Sequence, residues 1–312
     1  MVWGGEKIAA YKGVESDDPK VGESWEISSY PGAESVVSEG PLEGKTLPEL
    51  VREYKDRLVG KAVYERTGDE FPLLIKFIDA RNDLSIQVHP DDAKARRCHN
   101  QPFGKTEMWY VIQADPGAHL YSGISKEITP EDYVRLITED RIVDVLADHK
   151  VAPGDVFFLP AGRIHAICSG TFLAEIQQTS DLTYRIWDYG RLGLDGKPRA
   201  LHTDLAKEAI DYKVYPSYKQ SYAEVADEKV TLVSCPYFTT DLYDLDRPFD
   251  IPLEDIDSFL VVIAVDGSGA LRDTEGHCVP IRRGESLLIP AESRGIRLEP
   301  EGKLKILTSC IC

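Results

Sequence analysis

Residues 154–161 read G-D-V-F-F-L-P-A, and residues 284–291 read G-E-S-L-L-I-P-A. The segments lie 130 residues apart and follow one plan: glycine, an acidic residue, a short apolar run, then Pro-Ala. Glycine opens a turn, the apolar run suits a short buried strand, and proline ends it. A repeat of this kind implies two copies of one β unit. The copies then diverge. The first continues G-R-I-H and ends on His165, whereas the second continues E-S-R-G and puts Gly295 where the histidine stood. The economical reading is a pair of related β-barrels, one with a metal-type histidine and one without.

The surrounding sequence has the same texture. Short alternating or apolar runs fall at 71–78, 84–89, 107–112, 155–160, 172–177, 259–265 and 286–290, separated by Gly, Pro, Asn and Asp. Strands this dense, without a helix between each pair, predict an antiparallel barrel or sandwich and exclude a doubly wound sheet or a (β/α)₈ barrel. No glycine-rich phosphate loop follows a strand. Three helices are expected, at 46–59 capped by Thr46, at 129–148 with Thr129 as cap and Pro130 first, and at 203–212. Leu136, Ile137, Val143 and Leu146 give the second an apolar face. The fold class is therefore mainly β, with a helical insertion.

Composition narrows the function. Of 312 residues, 42% are hydrophobic and 29% charged, which supports a real core and excludes disorder over most of the chain. No run approaches the roughly 18 apolar residues of a membrane span, and the start shows no secretory leader. With 36 basic against 53 acidic residues the net charge is −17, a field that repels nucleic acid and anionic lipid. Any anion site must then be built locally from a few Lys or Arg residues. Cysteines 98, 168, 235, 278, 310 and 312 show no C-x-x-C pair, fit a reducing cytoplasm, and read as core or tail residues rather than ligands.

Strand parity places the chemistry. Across 84–89, Leu84, Ile86 and Val88 point one way, and Ser85, Gln87 and His89 the other. Across 104–112, Lys105, Glu107 and Trp109 share a face. A glutamate directed into an apolar interior is costly unless a cation neutralises it; a metal can do so, and so can Lys105. With His165, the set Gln87, His89, Glu107 and His165 suits a borderline divalent ion, one Zn²⁺ per chain being the first choice. Two histidines and a carboxylate also suit Fe²⁺, but the glutamine leaves fewer open positions. His99, His119, His149, His202 and His277 read as structural or exposed. Glu175 and Gln177 share a face, and Arg185 and Arg191 flank I-W-D-Y-G. Those arginines form either the basic patch that an anionic substrate needs or a structural pair with Asp181 or Asp188.

Taken together, these segments resemble the type I phosphomannose isomerases of the cupin superfamily, in their short bacterial form. The resemblance runs from Trp3 to the end of the chain. It is carried by W-G-G-E-K-I (3–8), G-E-S-W-E-I-S (22–28), F-P-L-L-I-K (71–76), L-S-I-Q-V-H-P-D-D (84–92), G-K-T-E-M-W-Y-V (104–111), G-D-V-F-F-L-P-A-G-R-I-H-A-I (154–167) and Y-R-I-W-D-Y-G-R (184–191). It implies two cupin-like jelly-roll domains: residues 1–235, catalytic, with a helical insertion near 125–150, and residues 236–312, without metal ligands. It implies zinc on Gln87, His89, Glu107 and His165, and catalytic roles for Arg185, Lys105 and Glu175. Ser85 and Arg191 fall where the family holds the substrate phosphate.

The implied reaction interconverts mannose 6-phosphate and fructose 6-phosphate through an enediol(ate), with Lys105 or Glu175 moving the proton and Arg185 facing the charged oxygen. Burial is expected to raise the pKa of the base. The expected partner is a small sugar phosphate, in a cytoplasmic protein that is monomeric or weakly self-associating. Two other readings of the same residues are an Fe(II) cupin oxygenase using His89, Glu107 and His165, and a sugar-phosphate-binding protein without turnover.

Overall fold

Apolar runs bounded by turn residues become strands here, because alternate side chains then reach two different buried layers. The computed structural model describes residues 2–18, 20–193 and 195–311. Its first strands are β1 (Glu23–Ile27), β2 (Leu73–Asp79), β3 (Ile86–Val88), β4 (Glu107–Ala114), β5 (His119–Ile124) and β6 (Leu146–Lys150). They are followed by β7 (Val156–Leu159), β8 (His165–Ile167), β9 (Thr171–Gln178), β10 (Tyr184–Trp187) and β11 (Lys219–Gln220). These strands form a six-stranded sheet ordered β1-β2-β9-β4-β7-β11 and a five-stranded sheet ordered β10-β3-β8-β5-β6. The remaining strands are β12 (Val230–Ser234), β13 (Thr239–Leu245), β14 (Phe249–Pro252), β15 (Leu260–Asp273), β16 (Cys278–Arg282), β17 (Ser286–Ile289) and β18 (Gly295–Cys310), in a single seven-stranded sheet. The fold is the mainly β, cupin-type one expected, built of open sheets rather than closed barrels.

Two compact units result. One gathers the residues up to Ala10, Glu15–Ser24 and Lys76–Gln220; the other gathers Tyr11–Val14, Trp25–Ile75 and the chain from Ser221 onward. In the first, Trp3, Ile78, Leu84, Trp109, Leu120, Phe157, Leu159, Ile167 and Leu173 form one buried apolar cluster. Ile86, Val88, Ile164, Ala166, Tyr184 and Ile186 belong to another, together with Tyr133, Leu136, Ile142 and Ala206 from the helical segments. Leu84 thus packs apart from Ile86 and Val88, against the parity expected of it. The strand begins only at Ile86, so alternation does not extend back to residue 84.

The repeated segment is a structural repeat. In each copy the glycine, Gly154 or Gly284, takes a left-handed backbone (φ 91° and 85°) that any side chain would strain. Gly154 N–H donates to Val111 C=O and Val111 N–H to Asp155 C=O; Gly284 N–H donates to Ala264 C=O and Ala264 N–H to Glu285 C=O. After the short strand, Arg163 N–H closes a turn on Pro160 C=O, as Ser293 N–H does on Pro290 C=O (3.0 Å each). His165 and Gly295 then open β8 and β18. One local code gives one local structure twice, with the histidine in one copy alone.

Helix starts follow the expectation, while helix lengths do not. Thr46 and Thr129 each form a capping box, with Glu49 and Asp132. The first helix, Leu47–Tyr54, stops at Lys55, whose φ of 52° breaks it before Asp56–Val59. The second ends at Thr138; Ile142–Val145 is a 3₁₀ turn and Leu146–Lys150 is strand β6. Its apolar residues still fit, since Leu136 and Leu146 are buried in the second cluster and Ile137 and Val143 pack against it. The third is Thr203–Ala209. Cys168 and Cys310 are buried, Cys98 and Cys278 are exposed, and Cys312 lies outside the described residues. Among the described residues no helix is long and apolar enough to cross a membrane.

The second unit's core is aromatic as well as aliphatic. Phe71 and Phe259, both fully buried, pack ring to ring at 4.5 Å. Phe259→Ala is expected to cost about 3–5 kcal/mol, read as a lower urea midpoint at unchanged slope. A loss under about 1 kcal/mol would mean that the surrounding side chains collapse into the space.

Candidate active site

The space between the two sheets of the first unit is graded along the strands. Trp109, Phe157, Leu159, Ile167 and Leu173 are apolar, whereas Glu107, His165, Glu175 and Gln177 on the same strands are polar and buried. Register explains the grouping. Gln87 on β3 pairs with His165 on β8 and with Arg185 on β10; Glu107 and Trp109 on β4 pair with Gln177 and Glu175 on β9. His89 follows β3 by one residue.

His89, Glu107 and His165 converge, their ligand atoms all lying within 4.8 Å of one another. All three are buried, Glu107 completely. Each imidazole places its Nδ1 2.8 Å from a backbone carbonyl, His89 on Leu182 and His165 on Arg163. A carbonyl only accepts, so each Nδ1 carries the proton and each neutral ring turns a lone pair at Nε2 inward. His89 Nε2 lies 3.5 Å from Glu107 Oε2, and His165 Nε2 lies 3.3 Å from Glu107 Oε1. Burial, then the charge of Lys105, holds both imidazoles neutral, with His165 pushed down to about 3. Among the described residues, Glu107 Oε1 and His165 Nε2 have no hydrogen-bond partner. Two buried acceptors facing each other at 3.3 Å need a positive charge between them, and a metal ion or a proton on Glu107 supplies it. The residues therefore fit a metal ion by their own donor chemistry, and the histidine–glutamate set of the sequence reading is brought together.

Lys105 and Glu175 stand beside this set. Lys105 Nζ donates to Glu107 Oε2 (2.5 Å), approaches His89 Nε2 (3.2 Å), and lies 3.6 Å from Glu175 Oε1. Burial pulls its proton affinity down, yet Glu107 and Glu175 hold it above the ordinary lysine value, so it is an ammonium. Burial and the charge of Glu175 push Glu107 up to about 7. Glu175 goes the other way from expectation. Burial raises its pKa, but Lys105, Lys76 and the Trp109 indole N–H together bring it below the usual value. Lys76 Nζ is 4.0 Å away, and Trp109 donates at 2.9 Å. Lys76 was the signal missed: it sits in the F-P-L-L-I-K run as the one charged side chain, and β2 buries it facing Glu175.

The backbone around Lys105 is held at three successive amides. Gly104 N–H donates to Asp92 Oδ1 (2.8 Å), Lys105 N–H to Pro90 C=O (3.0 Å) and Thr106 N–H to Gln178 Oε1 (2.9 Å). Gln178 Nε2 closes the set by donating to Asp92 Oδ1 (2.9 Å). Arg185 is held similarly by His202, a residue read from sequence as structural or exposed. The Arg185 N–H donates to His202 Nδ1 (3.0 Å) and the His202 N–H to Arg185 C=O (2.7 Å).

A cleft of about 140 Å³ opens over these groups, lined by Ser85, Gln87, Lys105, Glu175, Arg185 and Arg199, among others. Larger hollows of about 480 and 410 Å³ lie in the second unit, but among the described residues no metal-type cluster lines either. Ser85, Gln87 and Arg185 thus reach the cleft. Arg191 does not line it. Its guanidinium donates to Asp188 Oδ1 (2.5 Å) and to the Asp83 carbonyl, and stacks on Tyr189. Arg199, which sequence reasoning passed over in a stretch of turns, lines the cleft in its stead.

Fold and site together define a cupin-type β protein with a buried His–Glu–His cluster of metal-binding type beside a cleft. Comparison with known proteins narrows that class. "Phosphomannose isomerase type I, catalytic domain" matches residues 1–110, and "Mannose-6-phosphate isomerase, cupin domain" matches residues 228–311. The mannose-6-phosphate isomerase ManA of Bacillus subtilis is 34% identical over 300 residues, 96% of this chain and 92% of that protein. The putative mannose-6-phosphate isomerase YvyI of the same organism is 34% identical over 293 residues, 93% of this chain and 90% of its own. A crystal structure of mannose 6-phosphate isomerase from Bacillus subtilis superposes with a TM-score of 0.88 at 32% identity, covering 99% of this chain and 96% of the other. The chain belongs to the type I phosphomannose isomerase family.

Proposed function

We propose that this chain interconverts mannose 6-phosphate and fructose 6-phosphate by metal-assisted isomerisation through an enediol(ate), with one Zn²⁺ held by His89, Glu107, His165 and Gln87. The observation that carries it is the convergence of two neutral imidazoles and a buried carboxylate beside Lys105 and Glu175, in a chain of this family. Two nitrogens and one or two oxygens suit zinc. When bound, the ion supplies Lewis-acid polarisation of the sugar oxygens.

The chain's own groups do the rest. Glu175 is the carboxylate able to accept the proton from C2 and return it to C1. Lys105 is the ammonium able to give a proton to one sugar oxygen and take it back from the other. Arg185, half-buried on the cleft wall and held by the Ala200 carbonyl, presents a cation to the oxygen that becomes negative. Ser85, on the same cleft wall, faces the substrate's anionic end. All of this chemistry falls within residues 1–235; residues 236–312 carry Gly295 in the place of His165 and serve as a cupin-like domain without ligands.

Neither a dioxygen chemistry nor binding without turnover is favoured, since the relatives over nearly the full chain are isomerases. Metal analysis with a coupled assay for fructose 6-phosphate tests the proposal. One zinc per chain is expected, with activity lost on chelation and restored by Zn²⁺. Full activity in metal-free protein would refute it. Solvent deuterium should enter C2 in the wild type and not in Glu175→Gln.

A further inference from the structure

Arg191 and Arg199 compete for one carboxylate and resolve the competition unequally. Asp188 is buried, and accepts from Arg199 Nε (2.7 Å), Arg199 Nη2 (2.6 Å) and Arg191 Nη2 (2.5 Å). Burial raises its pKa, but these two arginines hold it below the ordinary aspartate value, so it stays a carboxylate. Arg191 also donates to two backbone carbonyls, Nη1 to Asp83 and Nε to Asp188. Arg199 is gripped along one edge of its guanidinium by both Asp188 oxygens and lies on the cleft wall with Ser85 and Arg185. Arg185 carries a further sign of this local field. Burial first, and then the charge of Arg199, lowers its proton affinity, while Asp188 opposes and Arg191 adds. A guanidinium fixed on one edge by a buried carboxylate keeps a rigid cationic edge for an incoming anion at little entropic cost. In a chain of net charge −17, that is the local basic patch an anionic substrate requires.

We infer that Arg199 is the residue that selects the phosphorylated sugar by meeting its phosphate. Asp188 orients it, and Arg191, the arginine to which the family pattern gives that part, acts as a strut on Asp188. The inference rests on the sugar-phosphate reading of the cleft.

The test compares Arg199→Gln with Arg191→Gln in the full-length, metal-loaded protein. One charge-assisted hydrogen-bonded contact is worth roughly tenfold to hundredfold in binding. Arg199→Gln is expected to raise KM for mannose 6-phosphate by about that factor, with a much smaller change in kcat. It should weaken inorganic phosphate, titrated by calorimetry, to the same degree. Arg191→Gln should move both constants by less than a third as much and lower the melting temperature instead. Arg199→Lys, which keeps the charge and loses the two-point hold, should fall between wild type and Arg199→Gln, and covers the case that the glutamine variant misfolds. Equal effects of the two glutamine variants, or a larger effect of Arg191→Gln, would overturn the inference. Phosphate calorimetry needs no turnover, so it still decides the matter if the wild type proves inactive on mannose 6-phosphate.

Discussion

Glu107→Gln is expected to empty the metal site and lower turnover by about a thousandfold or more, the rate equivalent of several kcal/mol of lost Lewis-acid stabilisation. The amide keeps the size of the side chain and removes the charge on which Lys105, His89 and His165 converge. A neutral amide is a poor partner for a divalent ion flanked by two neutral imidazoles. Metal content should fall below about a tenth of an equivalent after dialysis, while far-UV circular dichroism stays as in the wild type, since the strands around the site are set by backbone pairing. A variant that retains a full equivalent of metal and more than a tenth of wild-type activity would show that Glu107 is only the partner of Lys105.

Lys105→Met is the second large effect, and it separates stability from chemistry. Lys105 is buried and lies between two carboxylates, so its removal leaves Glu107 and Glu175 without their nearest ammonium. Breaking a buried pair from one side costs about 3–5 kcal/mol. Part of that cost is relieved, because Glu107, already pushed up to about 7, can take a proton, and because Lys76 remains 4.0 Å from Glu175. A bound divalent ion would supply the missing positive charge at Glu107. Urea midpoints are therefore expected to fall more for the chelated variant than for the zinc-loaded one. Turnover in the loaded variant should fall by about a hundredfold to ten-thousandfold, the range for a lost general acid or base, with metal content unchanged. Equal destabilisation with and without metal would mean that Lys105 and the ion do not answer the same charge.

These two variants also mark how much of the site could be read in advance. Glu107 and Lys105 share a strand face two residues apart, and a buried glutamate beside a lysine is legible as a costly charge with a candidate partner. The Nδ1 protons of the two imidazoles were not legible. They are fixed by the carbonyls of Leu182 and Arg163, and only His165 has its carbonyl nearby in sequence. The direction of the Glu175 shift escaped the sequence for a related reason. Burial alone predicts a raised Glu175, and the opposite result comes from Lys76, 99 residues earlier, and Trp109, 66 residues earlier. Arg191 illustrates the same limit: its neighbours in sequence offered both a substrate and Asp188, and the fold chose Asp188.

By itself the sequence determined whatever depends on neighbours along the chain. Strand runs follow from alternation, helix starts from Thr46 and Thr129, the paired turns from Gly154 and Gly284, and the inward face from parity within one strand. Tertiary structure alone decided which faces meet. The pairing of Gln87 with His165 and Arg185, the ammonium groups around Glu175, and the choice of Arg199 over Arg191 at the cleft all join residues far apart in the chain. The physical reason is range. Backbone preference acts over a few residues, whereas burial and charge act over a few ångströms, and only folding turns one distance into the other.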